Sequence, residues 1–226
     1  MINTEIDILV QNTSDFESCK EKNNFIKTAE SEWIGFVDGN VTGEEELRQI
    51  LQENPFLLEY DVILFGSNVP EGECGCMELF EHPQCVIYAF FFRKSLLAYA
   101  GSYNRFLTGN YNYEFLLRLV EIGSVYSIPS SADKCIEFAP MTMAYILRRY
   151  MELLKAQGRL DDIFLQIVRL AEQTGKTEDF NKAMNSLLAD EREYEQIVRD
   201  TAPCLLMVSS DLEYYGVVDG FANALA

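Results

Sequence analysis

Asp38-Gly39-Asn40 is the first place in this chain where residue types and spacing could do chemistry. A carboxylate and an amide oxygen two residues apart, with a glycine between them, can turn towards one hard cation. The same tripeptide is also good turn chemistry, because Asp and Asn bond their own backbone and Gly frees the dihedrals. Directly before it, Trp33-Ile34-Gly35-Phe36-Val37 is a short apolar run of the kind found in a buried strand. In an open α/β sheet ligands gather outside the carboxyl ends of the strands, where such a strand would deliver Asp38. A second cluster is Cys74-Gly75-Cys76 with His82 and Cys85. Three thiols and the chain's single histidine match the donor set of a closed zinc site, which leaves no position open for catalysis. The C-x-C spacing is tighter than usual, and reduced loop thiols are the alternative. Ser210-Asp211 followed by Gly216 could form a phosphate turn but lacks the G-x-G-x-x-G pattern.

The elements that would position these residues follow from periodicity. Ile6–Val10 is a near-continuous apolar run, as in a strand buried on both faces, and the polar Gln11–Asp15 loop after it can cap a helix over Phe16–Ala29. Thr42 and Glu45 have capping-box spacing for a helix running to about Glu53, which Pro55 ends. Tyr60–Phe65 reads as a third strand, and the alternation predicts right-handed crossovers and a mostly parallel sheet. Gly66–Gln84, rich in Gly, Pro and acids, reads as a loop before the aromatic strand Val86–Phe92, which ends at Arg93-Lys94. Tyr113–Ile122 has a helical apolar face, Gly123 terminates it, and Val125–Ile128 is a last short strand. Beyond Pro140 the pattern is helical: Met141–Gln157, Leu160–Gln173, Asp179–Leu188 and Glu191–Arg199. Pro203–Ser210 and Tyr215–Ala226 read as a strand and helix opening a truncated second α/β unit. The expected domains are therefore an α/β domain over 1–135, a helical extension over 136–200 and that opening unit over 201–226.

Charge and composition exclude some partners. With 36 acidic and 18 basic residues among 226, the net charge of −18 argues against nucleic acid or an anionic membrane surface. It would also repel an anionic substrate unless a cation or a local arginine offsets the field. The 48% apolar content predicts a substantial core. No apolar run approaches the roughly 20 residues needed to span a bilayer and no secretory leader opens the chain, which places it in the cytoplasm. The six scattered cysteines fit reduced thiols.

Three ordered blocks resemble glycosyltransferase family 2. Asn23-Asn24-Phe25-Ile26-Lys27-Thr28-Ala29-Glu30-Ser31-Glu32-Trp33-Ile34 leading to Asp38-Gly39-Asn40 is similar to the family's N-x-G-x-x-x-A-x-G-E-(Y/W)-I and D-x-D. Phe91-Phe92-Arg93-Lys94-Ser95-Leu96-Leu97 followed by Gly101-Ser102-Tyr103-Asn104 resembles F-R-(K/R)-x-L-L and G-G-F-D-E. Tyr113–Leu119 with Gly123 and Tyr126-Ser127-Ile128-Pro129 resembles E-D-x-(D/E)-L-x-L-R-L, then G and Y-x-I-P. The segment from Tyr145 to Tyr150, with Leu154-Lys155 and Gly158 after it, is similar to helical tails that follow such domains in bacteria. Together the blocks span roughly residues 5–130 and imply a GT-A-type, mostly parallel sheet flanked by helices and followed by a helical extension.

The resemblance implies transfer of a sugar from a nucleotide-sugar donor to a glycan acceptor. It implies nucleotide-sugar contacts at Gln11, Asn12, Asp38 and Arg93, a divalent cation (Mn²⁺ or Mg²⁺) on Asp38 and Asn40, and catalytic positions at Asn112 and Glu114. The departures are specific. The chain opens at the family's second strand, and Gln11-Asn12 stand where the family holds the base with an Asp. Asn40 replaces the second Asp of D-x-D, and Asn112 replaces the general base, although an amide has no basicity near neutral pH. The alternative is a degenerate, noncatalytic domain that binds a glycan or a partner protein. An exposed sheet edge would favour that association, with a partner enzyme or a second copy.

Overall fold

The computed structural model describes residues 5–11, 19–104, 107, 109–130 and 138–187. Asn12, the helix expected over Glu191–Arg199 and the unit expected over 201–226 lie outside the described residues. The chain divides into two compact units, Met1–Phe180 and Asn181–Ala226. In the second, residues 181–187 are helical. The first contains the sheet and the long helices together, so the boundary expected between residues 135 and 136 falls inside it.

Among the described residues six strands form one mixed sheet: β1 (Ile6–Gln11), β2 (Trp33–Asp38), β3 (Val62–Ser67), β4 (Gly72–Glu73), β5 (Val86–Arg93) and β6 (Val125–Pro129), in the spatial order β1-β2-β5-β3-β6-β4. β1 is parallel to β2, and β3 is parallel to β6. β5 runs antiparallel to both β2 and β3, and β4 antiparallel to β6. Four of the six strands thus point one way, as the mostly parallel expectation requires. The reversed β5 between β2 and β3 is the departure from uninterrupted crossovers.

Alternation along the strands assigns the faces. Trp33, Val37, Ile63, Phe65 and Phe91 pack on one side with Leu47 and Leu51 of α2 (Glu44–Glu53) and with Leu57 of a 3-10 turn at Pro55–Glu59. Ile6, Ile8 and Val10 of β1 pack against the same cluster. The other face is aromatic. Phe36 contacts Phe90, Phe92 and Tyr103 with ring centroids 5.4, 6.1 and 5.6 Å apart, and Tyr103 stacks on Phe115 at 4.3 Å. That layer is closed by α1 (Cys19–Thr28) and α5 (Tyr111–Val120). Burying each such ring contributes about 2–3 kcal/mol, so the aromatic layer holds both helices to the sheet.

Local chemistry moved some boundaries. The expected loop over Gly66–Gln84 contains β4 and a five-residue helix, α3 (Cys76–Phe80), anchored by fully buried Leu79 and Phe80. Thr42 does not complete a capping box with Glu45. Gly43 is the N-cap of α2, and Thr42 Oγ1 donates to Glu46 Oε2 at 3.0 Å. A 3-10 turn at Lys94–Leu96 leads into the short α4 (Leu97–Ala100). After β6 come α6 (Pro140–Ala156) and α7 (Leu160–Gln173). α6 begins with Pro at a position where no N–H is required, and its Tyr150 meets Phe80 of α3 at 5.0 Å between centroids.

Candidate functional site

The carboxyl ends of β1 and β2 set two expected residues side by side. Gln11 and Asp38 are the last register pair of the parallel ladder, and both belong to the face covered by α1 and α5. Both are buried, at 7% and 2% exposure. Asp38 Oδ1 accepts the Asn40 backbone N–H at 3.0 Å, and the Asp38 carbonyl accepts from Val41 and Thr42. The turn reading of Asp-Gly-Asn therefore describes this segment. The exposed Asn40 brings its side chain to the rim. One carboxylate, partly committed to a turn, and one amide fall short of the six or more oxygens of an all-protein Mg²⁺ or Ca²⁺ centre. They suit a cation that also takes phosphate oxygens from its ligand.

α1 brings three further side chains to this end. Gln11 Nε2 donates to Glu21 Oε2 at 3.0 Å, while Gln11 Oε1 is buried with no hydrogen-bond partner among the described residues. Lys22 is fully buried, its Nζ lying 5.0 Å from the Tyr103 ring centroid and 5.9 Å from that of Phe36. It donates to Asn112 Oδ1 at 2.8 Å, and the Tyr103 hydroxyl donates to the same oxygen at 3.1 Å. Burial pushes the Tyr103 phenol well above its ordinary pKa, so it remains a donor. Asn23 clamps the Tyr103 backbone, accepting its N–H at 2.8 Å and donating to its carbonyl at 3.0 Å. Asn112 sits in the first turn of α5, whose N-cap Asn110 is left-handed (φ 50°) and accepts the Ala139 N–H at 2.7 Å.

Several expected residues are elsewhere. Glu114 does not line an acceptor side: it is 1% exposed and bonds Arg118 through both oxygens at 2.8 Å. Its position in α5 points it into the core, as a structural ion pair. Arg93 is the clearest correction. It pairs in register with Trp33 at the start of β2, because β5 is antiparallel, and so lies five residues of strand from Asp38, roughly 17 Å. Its guanidinium is occupied by Glu32, by Asp61 at 3.4 Å, by the Leu58 carbonyl at 2.8 Å and by the Trp33 ring at 4.8 Å. A cleft of about 520 Å³ between Phe56, Leu58, Trp33 and Arg93 opens at that opposite end.

The zinc reading does not gather either. Among the described residues no three His, Cys, Asp or Glu side chains are placed to hold a metal ion. Burial pushes the Cys76 and Cys85 thiols up to about 12 and raises Cys74 as well, so the thiolates that zinc requires are disfavoured at neutral pH. Cys76 and Cys85 instead flank α3 and the His82 turn. Glu21 and Lys22 were not anticipated as site residues. The signal was available: Lys22 falls on the row of Ile26 and Ala29, a lysine on an apolar helix face.

No family model matches the chain, and no curated protein does. Among solved structures the chain is similar to Staphylococcus aureus TarS. Against TarS 1-349 the TM-score is 0.47 at 18% identity, covering 71% of this chain and 53% of that one. Against TarS 1-349 in complex with UDP-GlcNAc it is 0.41 at 17%, covering 65% and 50%. Against TarS it is 0.43 at 18%, covering 67% and 30%. The chain thus spans about half the length, or less, of the structures it matches.

Among the described residues no helix is long and apolar enough to cross a membrane.

Proposed function

We propose that the carboxyl end of this sheet binds a nucleotide sugar, as a glycosyltransferase family 2-like domain. The observation that carries the reading is the Gln11–Asp38 register pair, two buried polar side chains at the ends of adjacent parallel strands. That is where open α/β sheets take ligands, and two of the segments resembling the family, α1 with Asp38 and the start of α5, meet there through the Lys22–Asn112 bond. Gln11 would accept a donor group of the nucleotide. Asp38 with Asn40 would hold a Mn²⁺ or Mg²⁺ shared with the diphosphate, which offsets the phosphate charge. Lys22 adds positive charge beneath the site in a chain that is otherwise strongly acidic.

A second reading, binding without sugar transfer, is favoured by one observation. Neither residue expected to act on the acceptor is available as a base: Asn112 is an amide bonded to Lys22, and Glu114 is paired with Arg118. A glycan or a partner enzyme would then be the target of the bound domain. Calorimetry with UDP-GlcNAc, with and without MnCl₂, tests the main reading. Wild-type protein is expected to bind and Asp38→Ala to bind at least ten-fold more weakly. No heat from the wild type under either condition would sink nucleotide-sugar binding. Release of free GlcNAc or its transfer to a glycan, followed by chromatography, would remove the noncatalytic alternative.

A further inference from the structure

Two consecutive residues on α1 set the direction of two amides that belong to other elements. Glu21 accepts from Gln11 Nε2, and an ionised carboxylate has no proton to return, so the Gln11 carbonyl is the end left over. That oxygen is buried and has no partner among the described residues. Lys22 does the reverse. As an ammonium ion against two aromatic rings it can only donate, and it donates to Asn112 Oδ1. The Tyr103 hydroxyl donates to the same oxygen, which fills its lone pairs. The Asn112 amide protons are then the end left over, on a half-buried residue in the first turn of α5.

We propose that Glu21 and Lys22 are positioning residues that fix the polarity of this face, an acceptor at Gln11 and a donor at Asn112. Position 112 then binds an oxygen of the ligand, a hydroxyl or phosphate oxygen, and removes no proton from it. Gln11 takes an N–H or O–H. A ligand of this class carries a donor at one end and acceptor oxygens at the other. Its identity as a nucleotide sugar rests on the function proposed above, whereas the locking of the two amides does not.

The locking is tested without any ligand. A double-mutant cycle on urea unfolding uses Lys22→Met, Asn112→Asp and the pair. With Lys22 present the new carboxylate gains an ion-pair partner and the unfolding midpoint is kept or raised. In the Lys22→Met background the same change lowers it, and the unfolding constant of the double variant departs at least ten-fold from that of independent sites. Agreement within two-fold overturns the proposal. Should Lys22→Met not fold, Asn112→Asp alone decides: beside Lys22 its carboxyl, followed by carbon NMR, titrates below the ordinary aspartate range. Titration at or above that range overturns it.

Calorimetry with UDP-GlcNAc then reads the ligand side. Asn112→Asp, which removes the donor, is expected to weaken binding at least ten-fold, and unchanged or tighter binding overturns the donor assignment. Glu21→Lys turns the Gln11 amide round and is expected to weaken binding despite the added positive charge. Unchanged or tighter binding overturns the acceptor assignment. Wild-type protein that binds no UDP-GlcNAc sinks the nucleotide-sugar reading and leaves the unfolding cycle to decide the polarity.

Discussion

Glu114 holds a charge where water barely reaches, and Arg118 is what makes that tolerable. The pair is bidentate, and Arg118 also donates to the Ala100 carbonyl, tying α5 to the end of α4. Removing one partner of a buried pair leaves the other uncompensated, at a cost of about 3–5 kcal/mol. Glu114→Ala is therefore expected to lower the unfolding free energy, measured by urea unfolding, by about 3–5 kcal/mol. The loss should be equal with and without ligand, because the residue belongs to the scaffold. Asp7 is the opposite case, a carboxylate near the surface. The Ser31 and Glu30 backbone N–H groups donate to it at 2.9 and 2.7 Å, and the Ser31 bond leads in holding its pKa below the ordinary value. A depressed folded-state pKa gives stability that is present above the unfolded value of about 3.9 and lost as pH falls through the folded one. Asp7→Asn should flatten the acid limb of a stability–pH curve below about pH 4 and leave its slope near pH 7 unchanged. At this scale the sequence showed which residues were polar and where the family pattern was broken. It could not show that Asn112 faces inward with its oxygen, because that follows from Lys22 and Tyr103, each on a different element.

At the scale of elements, most strands were legible because β2, β3 and β5 are buried on both faces and read as apolar runs. The same property hid their directions. A run such as Val86–Phe92 looks alike whether it runs up or down, and a parallel β5 would have carried Arg93 to the end where Asp38 lies. The antiparallel β5 carries it to Trp33 instead. α3 was missed for a different reason, since five residues offer too little periodicity to detect. Close packing between β2 and β5 gives a direct check on their pairing. A Cβ added at Gly35 would meet the Phe91 ring at 2.6 Å and Ile8 at 3.2 Å, with Phe91 fully buried and unable to swing out. Gly35→Ala is expected to destabilise the protein by about 1–3 kcal/mol, measured by urea unfolding. A neutral or stabilising result would mean that β5 does not cross β2 in this register.

For the whole molecule, the net charge of −18 works against the anionic ligand proposed here. Raising salt from about 0.01 to about 0.15 M shortens the screening length from roughly 30 to roughly 8 Å. UDP-GlcNAc is expected to bind a few-fold more tightly over that range, the reverse of a basic site. Weaker binding at higher salt would show that the local field around Lys22 dominates the global one. The outermost strand has a consequence for the same site. Among the described residues β1 has a single strand neighbour, and its six residues are set against β2 by Ile6, Ile8 and Val10 packing on one face. A slip by one residue would exchange every inward and outward side chain and put Val10 where Gln11 now meets Asp38. The three aliphatic residues therefore act as a ruler that measures the glutamine into place. Wear on that ruler would blur recognition while the sheet itself still stood.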